Sequence, residues 1–539
     1  MRRRVARGVS VCDSCCPRCP TTTVPWPGGP PTCCQRWPKP DAFTPLHTLE
    51  LAAAPPAPQA LTSRPERLAW PRGDRERAHN DMLSYRRNFI DGRRQTPLGR
   101  LRVEVRSPYD DAWLGQAPLA SPADIELAVQ AARQALQRRS WSGATHQARL
   151  AILERFWSLY RAQVDELVLL SVRQTAVPVT AARDLMAQVL EAGEARLAQA
   201  RRAVGGPRAD QRQSAGIVAA ITAWNATQPS AVSWLLPSLL AGCSMILALP
   251  PACPLDGQWL GELLAEAGLP DGVFNIVVAD DAACLGMAAH SEIDWLAFSG
   301  PAELAADLAR ARAATGKSLV LGLHGRATGI LLPDADLGAV ISALGPRLFL
   351  ASGQGPSNPS RLLAPRHRQA ELVEALSSLA RTLPVGDPRD ARTVIGPLIS
   401  ESARMRAASL LDEAAAAGAE IVVRGDDASP RQGAVMGPTL VANVSPTMTL
   451  VHSEPWAPVA TVIPYGDLDE AIAIANALPG RPSAAVWSEE PSIALAVATR
   501  LRAAHVALNP KALVADLAAV AREREEPFSY LQVLTCSES

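Results

Sequence analysis

From Met82 onward, short continuous apolar runs alternate with longer mixed stretches. Gly216 to Trp224 is one such run and predicts a strand. A helix is expected from about Ser230 to Leu240, then a strand over Met245–Leu249. A helix from about Gln258 to Ala267 and strands Asn275–Ala279 and Trp295–Phe298 follow. Helix Ala302–Ala314 then leads to strand Ser318–Leu323. Upstream, Ser121-Pro122-Ala123-Asp124 reads as a helix start, with serine as N-cap, proline at the first helical position and an acid in the first turn. That helix runs through Leu136. Continuous apolar strands spaced by helices predict a parallel sheet covered on both faces, the doubly wound α/β arrangement. A second α/β set begins near Arg361. It includes a D-x-x-E capping box at Asp467 to Glu470, before the helix holding Ala471 to Ala475. No internal repeat is detected.

Residues 1–81 follow a different pattern, with 14 of the 46 prolines and no useful apolar periodicity. The basic start, Met1 to Arg7, has no apolar segment after it of the kind a signal peptide needs. Six of the ten cysteines lie here: Cys12, Cys15, Cys16, Cys19, Cys33 and Cys34. Cys12-x-x-Cys15 and Cys16-x-x-Cys19 have zinc-like spacing, but the adjacent Cys33-Cys34 is a poor second pair. A disordered extension is the expectation, with Met82 as a candidate translation start or the extension dispensable.

Composition narrows the function classes. The chain of 539 residues carries 53 basic and 53 acidic side chains, so it lacks the basic excess that nucleic acid or an anionic membrane attracts. No apolar run approaches the ~18–20 residues of a membrane span. The body beyond the extension is cysteine-poor, which fits a reduced, cytoplasmic protein. Lysine is confined to Lys39, Lys317 and Lys511.

Specific motifs go further. Gly216 to Trp224-Asn225 reads as a strand ending in a tryptophan-asparagine turn. Ala265-Glu266-Ala267-Gly268-Leu269-Pro270-Asp271-Gly272-Val273-Phe274-Asn275 is a helix-to-strand connection, and Phe298-Ser299-Gly300 a strand-end turn. Gly353-Gln354 and Arg361 come next. Further on stand Val385-Gly386-Asp387-Pro388, Ile395-Gly396-Pro397-Leu398 and Glu454-Pro455-Trp456-Ala457-Pro458-Val459. In this order, from about Arg87 to Asn509, the motifs resemble those of the aldehyde dehydrogenase superfamily.

The resemblance implies a Rossmann-type cofactor domain, a second α/β catalytic domain and a small oligomerisation element. It divides the chain into the 1–81 extension, an NAD(P)-binding-type domain over 82–322 with an oligomerisation hairpin near 203–215, a catalytic-type domain over 323–508 and an altered tail over 509–539. Pro510 to Ala519 departs from the family's site-lining segment, whereas Phe528 to Leu534 keeps the makings of an oligomerisation strand.

The family oxidises an aldehyde to a carboxylic acid with NAD or NADP. A cysteine thiolate attacks the carbonyl, an asparagine amide and the cysteine's own N–H hold the oxyanion, and a glutamate activates the hydrolytic water. Asn225 matches the asparagine. The nucleophile position is Pro356, and no cysteine lies between Cys284 and Cys536. The general-base position is Gly322, and no acid lies between Asp307 and Asp334. Among cofactor residues, Trp224, Gly300 and Glu454 remain. The family's ribose-binding lysine and glutamate are replaced by Ala248 and Pro251, and Pro301 follows the nucleotide-loop glycine. Two lost charge-assisted hydrogen bonds weaken binding by roughly two to four decades.

These replacements imply an inactive or degenerate member, a pseudoenzyme with a structural or assembly role, as a homo-oligomer or in a hetero-oligomer with an active paralogue. The alternative is an active oxidoreductase on an aldehyde, or a hydrolase, working without cysteine; for the latter, His324 with Ser352 or Ser357 is the candidate pair. Asn225 also reads as a structural turn residue, and Cys243 and Cys253 as small buried hydrophobes.

Overall fold

The computed structural model describes residues 83–204, 212–323, 327–355, 358, 360–425, 433–477, 483–503, 505–510 and 529–531. The 1–81 extension with its cysteine pairs therefore lies outside the described residues, as do His324, Pro356 and Ser357.

The apolar runs become the strands of a seven-stranded sheet. Its order is Ser318–Leu323, Trp295–Gly300, Ile217–Ile221, Ser244–Leu249, Phe274–Val278, Asn88–Ile90, Arg93–Gln95. The first five strands are parallel, and Asn88–Ile90 joins them antiparallel. Alternate side chains go to opposite faces, as strand geometry requires. Val218, Ala220, Met245, Leu247 and Leu249 pack on one side with helices His146–Ala162 and Thr227–Leu240. Ile217, Ala219, Ile221, Ile246 and Ala248 pack on the other with helices Pro122–Arg138 and Asp281–Ala289. The sheet is thus covered on both faces, which explains why a central strand such as Ile217–Ile221 is apolar at every position.

Chain order along the sheet reverses between Ile217–Ile221 and Trp295–Gly300. This is a topological switch point, where the crossovers diverge to opposite faces and leave a crevice at the carboxyl ends of the strands. The Trp224-Asn225 turn and Gly300 both stand at that edge.

A second seven-stranded sheet runs Glu420–Val423, Thr439–Ala442, Val459–Tyr465, Arg361–Pro365, Thr328–Leu331, Ala484–Trp487, Val506–Leu508. All its pairs are parallel except the first. Arg212–Ser214 and Ser529–Leu531 form a separate antiparallel pair, which joins the predicted hairpin region to the predicted tail strand. No helix among the described residues is long and apolar enough to cross a membrane.

The helix start at Ser121 forms as read. Its hydroxyl accepts from the Asp124 N–H, and the Asp124 carboxylate accepts from the Ser121 N–H at 2.9 Å. At Asp467 only half of the expected box forms. Asp467 accepts from the Glu470 N–H at 2.8 Å, but the Glu470 carboxylate reaches back to the Gly466 N–H at 2.6 Å. Several element bounds also differ. The strand begins at Ile217 because Gly216 has φ +97°, and it ends at Ile221 because Thr222 turns to bind Ala248. The next helix starts at Thr227, directly after a 3₁₀ turn over Trp224–Ala226.

Candidate active site

At the switch point, strand Ile217–Ile221 ends in a fixed turn. The Thr222 N–H and hydroxyl both donate to the Ala248 carbonyl, each at 3.0 Å. The chain then tightens into Trp224–Ala226. The Cys253 thiol donates to the Trp224 carbonyl at 3.0 Å, securing the turn from below. The Trp224 ring meets the Trp456 ring edge-on, with centroids 6.0 Å apart.

Opposite this turn runs the segment that ends at Gln354. Three consecutive residues, Ala351, Ser352 and Gly353, have φ of +51°, +59° and +72°. A Cβ at Gly353 would collide with the Ala457 carbonyl, so only glycine fits there. The Ser352 hydroxyl donates to the Gly396 carbonyl and accepts from the Gly396 N–H, both at 2.9 Å. Gln354 Oε1 accepts from the Ile399 N–H at 2.9 Å. The Ile395-Gly396-Pro397-Leu398 motif is therefore the anchor of this strap. Under the alternative hydrolase reading, Ser352 is one of two serines, with Ser357, that could pair with His324. Its hydroxyl is instead fully buried and engaged as both donor and acceptor, so it is a structural pin.

Asn225 bridges the two halves: its Nδ2 donates to the Gln354 carbonyl at 2.7 Å. Beside it opens a small concavity, with Val168, Thr175, Met186, Asn225 and Gln228 in its wall. Two of the helices in this wall, Val164–Thr175 and Val179–Ala203, were not read from the sequence.

Gly322 lies on the edge strand of the first sheet, in register with Ser299, and Gly300 pairs with Leu323 beside it. Glu454 stands two residues before Trp456, and its main-chain carbonyl accepts from Arg406 at 2.7 Å. The structure thus gathers Asn225, Trp224, the strap and Trp456 at one place, with Gly300 and Gly322 on neighbouring strand ends.

The aldehyde dehydrogenase family model matches residues 97–520 of this chain. The chain belongs to the aldehyde dehydrogenase family. It is 31% identical to a 3-succinoylsemialdehyde-pyridine dehydrogenase from a Pseudomonas species, over 80% of this chain and 92% of that protein. It is 29% identical to a geranial dehydrogenase from Castellaniella defragrans, over 79% of this chain and 91% of that one. Among solved structures, a Mycobacterium tuberculosis aldehyde dehydrogenase complexed with NAD+ superposes with a TM-score of 0.75, 30% identity, and coverage of 79% and 91%. A Pseudomonas syringae aldehyde dehydrogenase C variant with NAD+ and octanal gives 0.73 and 31%, covering 79% and 89%.

Against the family chemistry, the described thiols are unsuited to attack. Cys243, Cys253 and Cys284 are all buried. Burial pushes the Cys243 thiol up to about 11 and the Cys284 thiol up to about 12. Cys253, the one at the Trp224 turn, is pushed further up by burial and by the nearby Asp256. A nucleophilic cysteine needs the opposite, a lowered pKa.

The residues present also do not fit a dinucleotide held in the family's manner. Ala248 is 1% exposed within the apolar cluster, and its carbonyl is already taken by Thr222. Pro251 brings neither an N–H nor a side-chain acceptor. Pro301 is the N-cap of helix Ala302–Ala313 and provides no side-chain cap. Glu303 puts a negative charge in that helix's first turn, where a phosphate would be repelled. Sequence reading missed Glu303, although an acid two residues after Pro301 was visible.

Proposed function

We propose that this family member does not oxidise aldehydes through a covalent thiol intermediate and that its fold serves assembly. The carrying observation is the state of the described thiols: all three are buried and held protonated, and the one at the Asn225 turn donates to a main-chain carbonyl. Pro356 and Gly322 at the nucleophile and base positions support the same reading, because neither side chain can attack or take a proton. The loss of ribose and phosphate handles at Ala248, Pro251 and Pro301 supports weak NAD(P) binding. The strand pair Arg212–Ser214 with Ser529–Leu531 supports assembly, since a two-stranded ribbon is marginal alone and its edges invite further pairing. The partner is a second copy or an active paralogue, in the cytoplasm, where free cysteines persist.

Native mass spectrometry of the protein isolated from its own cells tests this reading. A homo-oligomer or a mixed complex with an intact dehydrogenase is expected, and a monomer at micromolar concentration would refute the assembly role. Isothermal titration with NAD+ and NADP+ tests the cofactor half, and binding as tight as that of an active relative measured alongside would contradict it.

A further inference from the structure

The second sheet buries a cation. In register across its strands stand Val441, Thr461, Arg361, Thr328, Ala484 and Val506. Arg361 is 0% exposed. Its Nη2 donates to the Thr328 hydroxyl at 2.9 Å. The same nitrogen reaches the Ile474 carbonyl, in the last turn of helix Leu468–Asn476, at 3.4 Å. Nε and Nη1 have no acceptor. A guanidinium carries five N–H groups, so the one on Nε and the two on Nη1 are left over. Two positions further along the strands, the same face of the sheet is apolar: Leu363, Ile330, Ile463 and Val486.

Among the described residues no acid reaches this guanidinium. The acids of helix Leu468–Asn476 lie at its other end: Asp469 pairs with Arg500 at 2.7 Å, and Glu470 accepts from the Gly466 N–H at 2.6 Å. On helix Glu401–Ala416, Glu401 and Asp412 are held by Arg404 and Arg424. Helix Pro491–Ala498 carries no charged residue. The stretches 324–326, 356–359 and 478–482, which lead into strands Thr328–Leu331, Arg361–Pro365 and Ala484–Trp487, contain no aspartate or glutamate in sequence. Burial pulls the Arg361 pKa down to about 10 and no described charge offsets it, yet at neutral pH the group stays protonated. The Ile474 carbonyl brings only the partial negative charge of a helix end. A buried charge without a partner is strongly unfavourable, and a water molecule would satisfy an N–H but not the charge.

We infer that Arg361 holds a small monovalent anion of chloride size against its free Nε and Nη1 groups, enclosed between the second sheet and helix Leu468–Asn476. One negative charge balances the guanidinium, whereas a doubly charged phosphate or sulfate would leave an excess negative charge in the same interior. The site uses none of the nucleophile, base or cofactor positions, so it stands whether or not the chain turns over an aldehyde.

The test is thermal unfolding of the full chain at neutral pH, with sodium gluconate exchanged for sodium chloride at constant ionic strength. A ligand bound by the folded chain alone raises the midpoint, and a rise of several degrees is expected from chloride-free buffer to about 300 mM chloride. Two variants separate the site from a general salt effect. Thr328→Asp sets a carboxylate where the Thr328 hydroxyl now accepts from Arg361, and Arg361→Met removes the cation. Both are expected to lose the chloride dependence. A flat midpoint in the unaltered protein, or the same rise in either variant, overturns the site. Should neither variant fold, crystals of the unaltered protein grown with sodium bromide decide. An anomalous bromide peak within hydrogen-bonding reach of Arg361 Nε or Nη1 is expected, and its absence overturns the assignment.

Discussion

The side-chain amide of Asn225 donates to the main-chain carbonyl of Gln354 at 2.7 Å, tying the turn after strand Ile217–Ile221 to the strap on the other side of the site. The residue that matches the family's oxyanion donor therefore serves as a brace. Asn225→Ala is expected to destabilise the fold by about 1 kcal/mol, the net worth of one hydrogen bond. Asn225→Asp is expected to cost more, because a carboxylate oxygen would face a carbonyl oxygen without a proton between them. Urea denaturation of both variants checks the order.

Gly353 carries the tightest steric demand in the strap. Its φ is +72° and a Cβ would meet the Ala457 carbonyl. Gly353→Ala is expected to destabilise by about 3 kcal/mol or more. Gly286, on the exposed side of helix Asp281–Ala289, has nothing within 4 Å of its would-be Cβ. Gly286→Ala is expected to stabilise by roughly 0.5–1 kcal/mol, because alanine is the better helix former. Opposite signs in chemical denaturation would confirm the pair.

Asp124 links stability to acid. Burial raises its pKa, but bonds from the Ser121 hydroxyl and from the Leu98, Ser121 and Gly99 N–H groups outweigh it, so the net shift is downward. With the folded value below the unfolded one, its contribution is complete above the ordinary carboxylate range and is lost as pH falls through the folded value. Asp124→Ala is expected to cost roughly 1–3 kcal/mol at neutral pH and distinctly less near pH 2–3. An equal cost at both would contradict the bonding described.

Asp256 has the opposite sign. Burial raises its folded value to about 6, so its carboxyl penalises the folded state increasingly as pH rises from the unfolded value toward that one. Asp256→Asn is expected to stabilise the protein at pH 7.5, on the order of 1–3 kcal/mol, and to have little effect near pH 4. Thermal denaturation at the two pH values reads both arms.

The sheet was legible because fully buried parallel strands leave unbroken apolar runs, as Ile217–Ile221 and Phe274–Val278 do. The helices from His146 to Ala203 were not read, because buried polar side chains such as Arg149 and Gln174 interrupt their apolar faces. Site positions could be named from the sequence only as motif offsets, and Pro356 among them lies outside the described residues. Contacts across the fold were not: Ser352 is pinned by Gly396, 44 positions away, and nothing local to serine announces it. Asp256 likewise reads as an ordinary turn acid until the helices that bury it are in place.

The proposed loss of covalent aldehyde oxidation predicts a chain that turns over no aldehyde. Its most direct test is NADH or NADPH production by the purified full-length chain, over a panel of short, long and aromatic aldehydes with each cofactor. An active relative serves as the positive control. No turnover above the protein-free blank is predicted, and none is predicted after Pro356→Cys with Gly322→Glu, because Ala248, Pro251 and Pro301 stand at the positions proposed to hold the ribose and phosphates. Steady production of reduced cofactor by the unaltered chain, abolished by Asn225→Ala in a variant that still folds, would contradict the account.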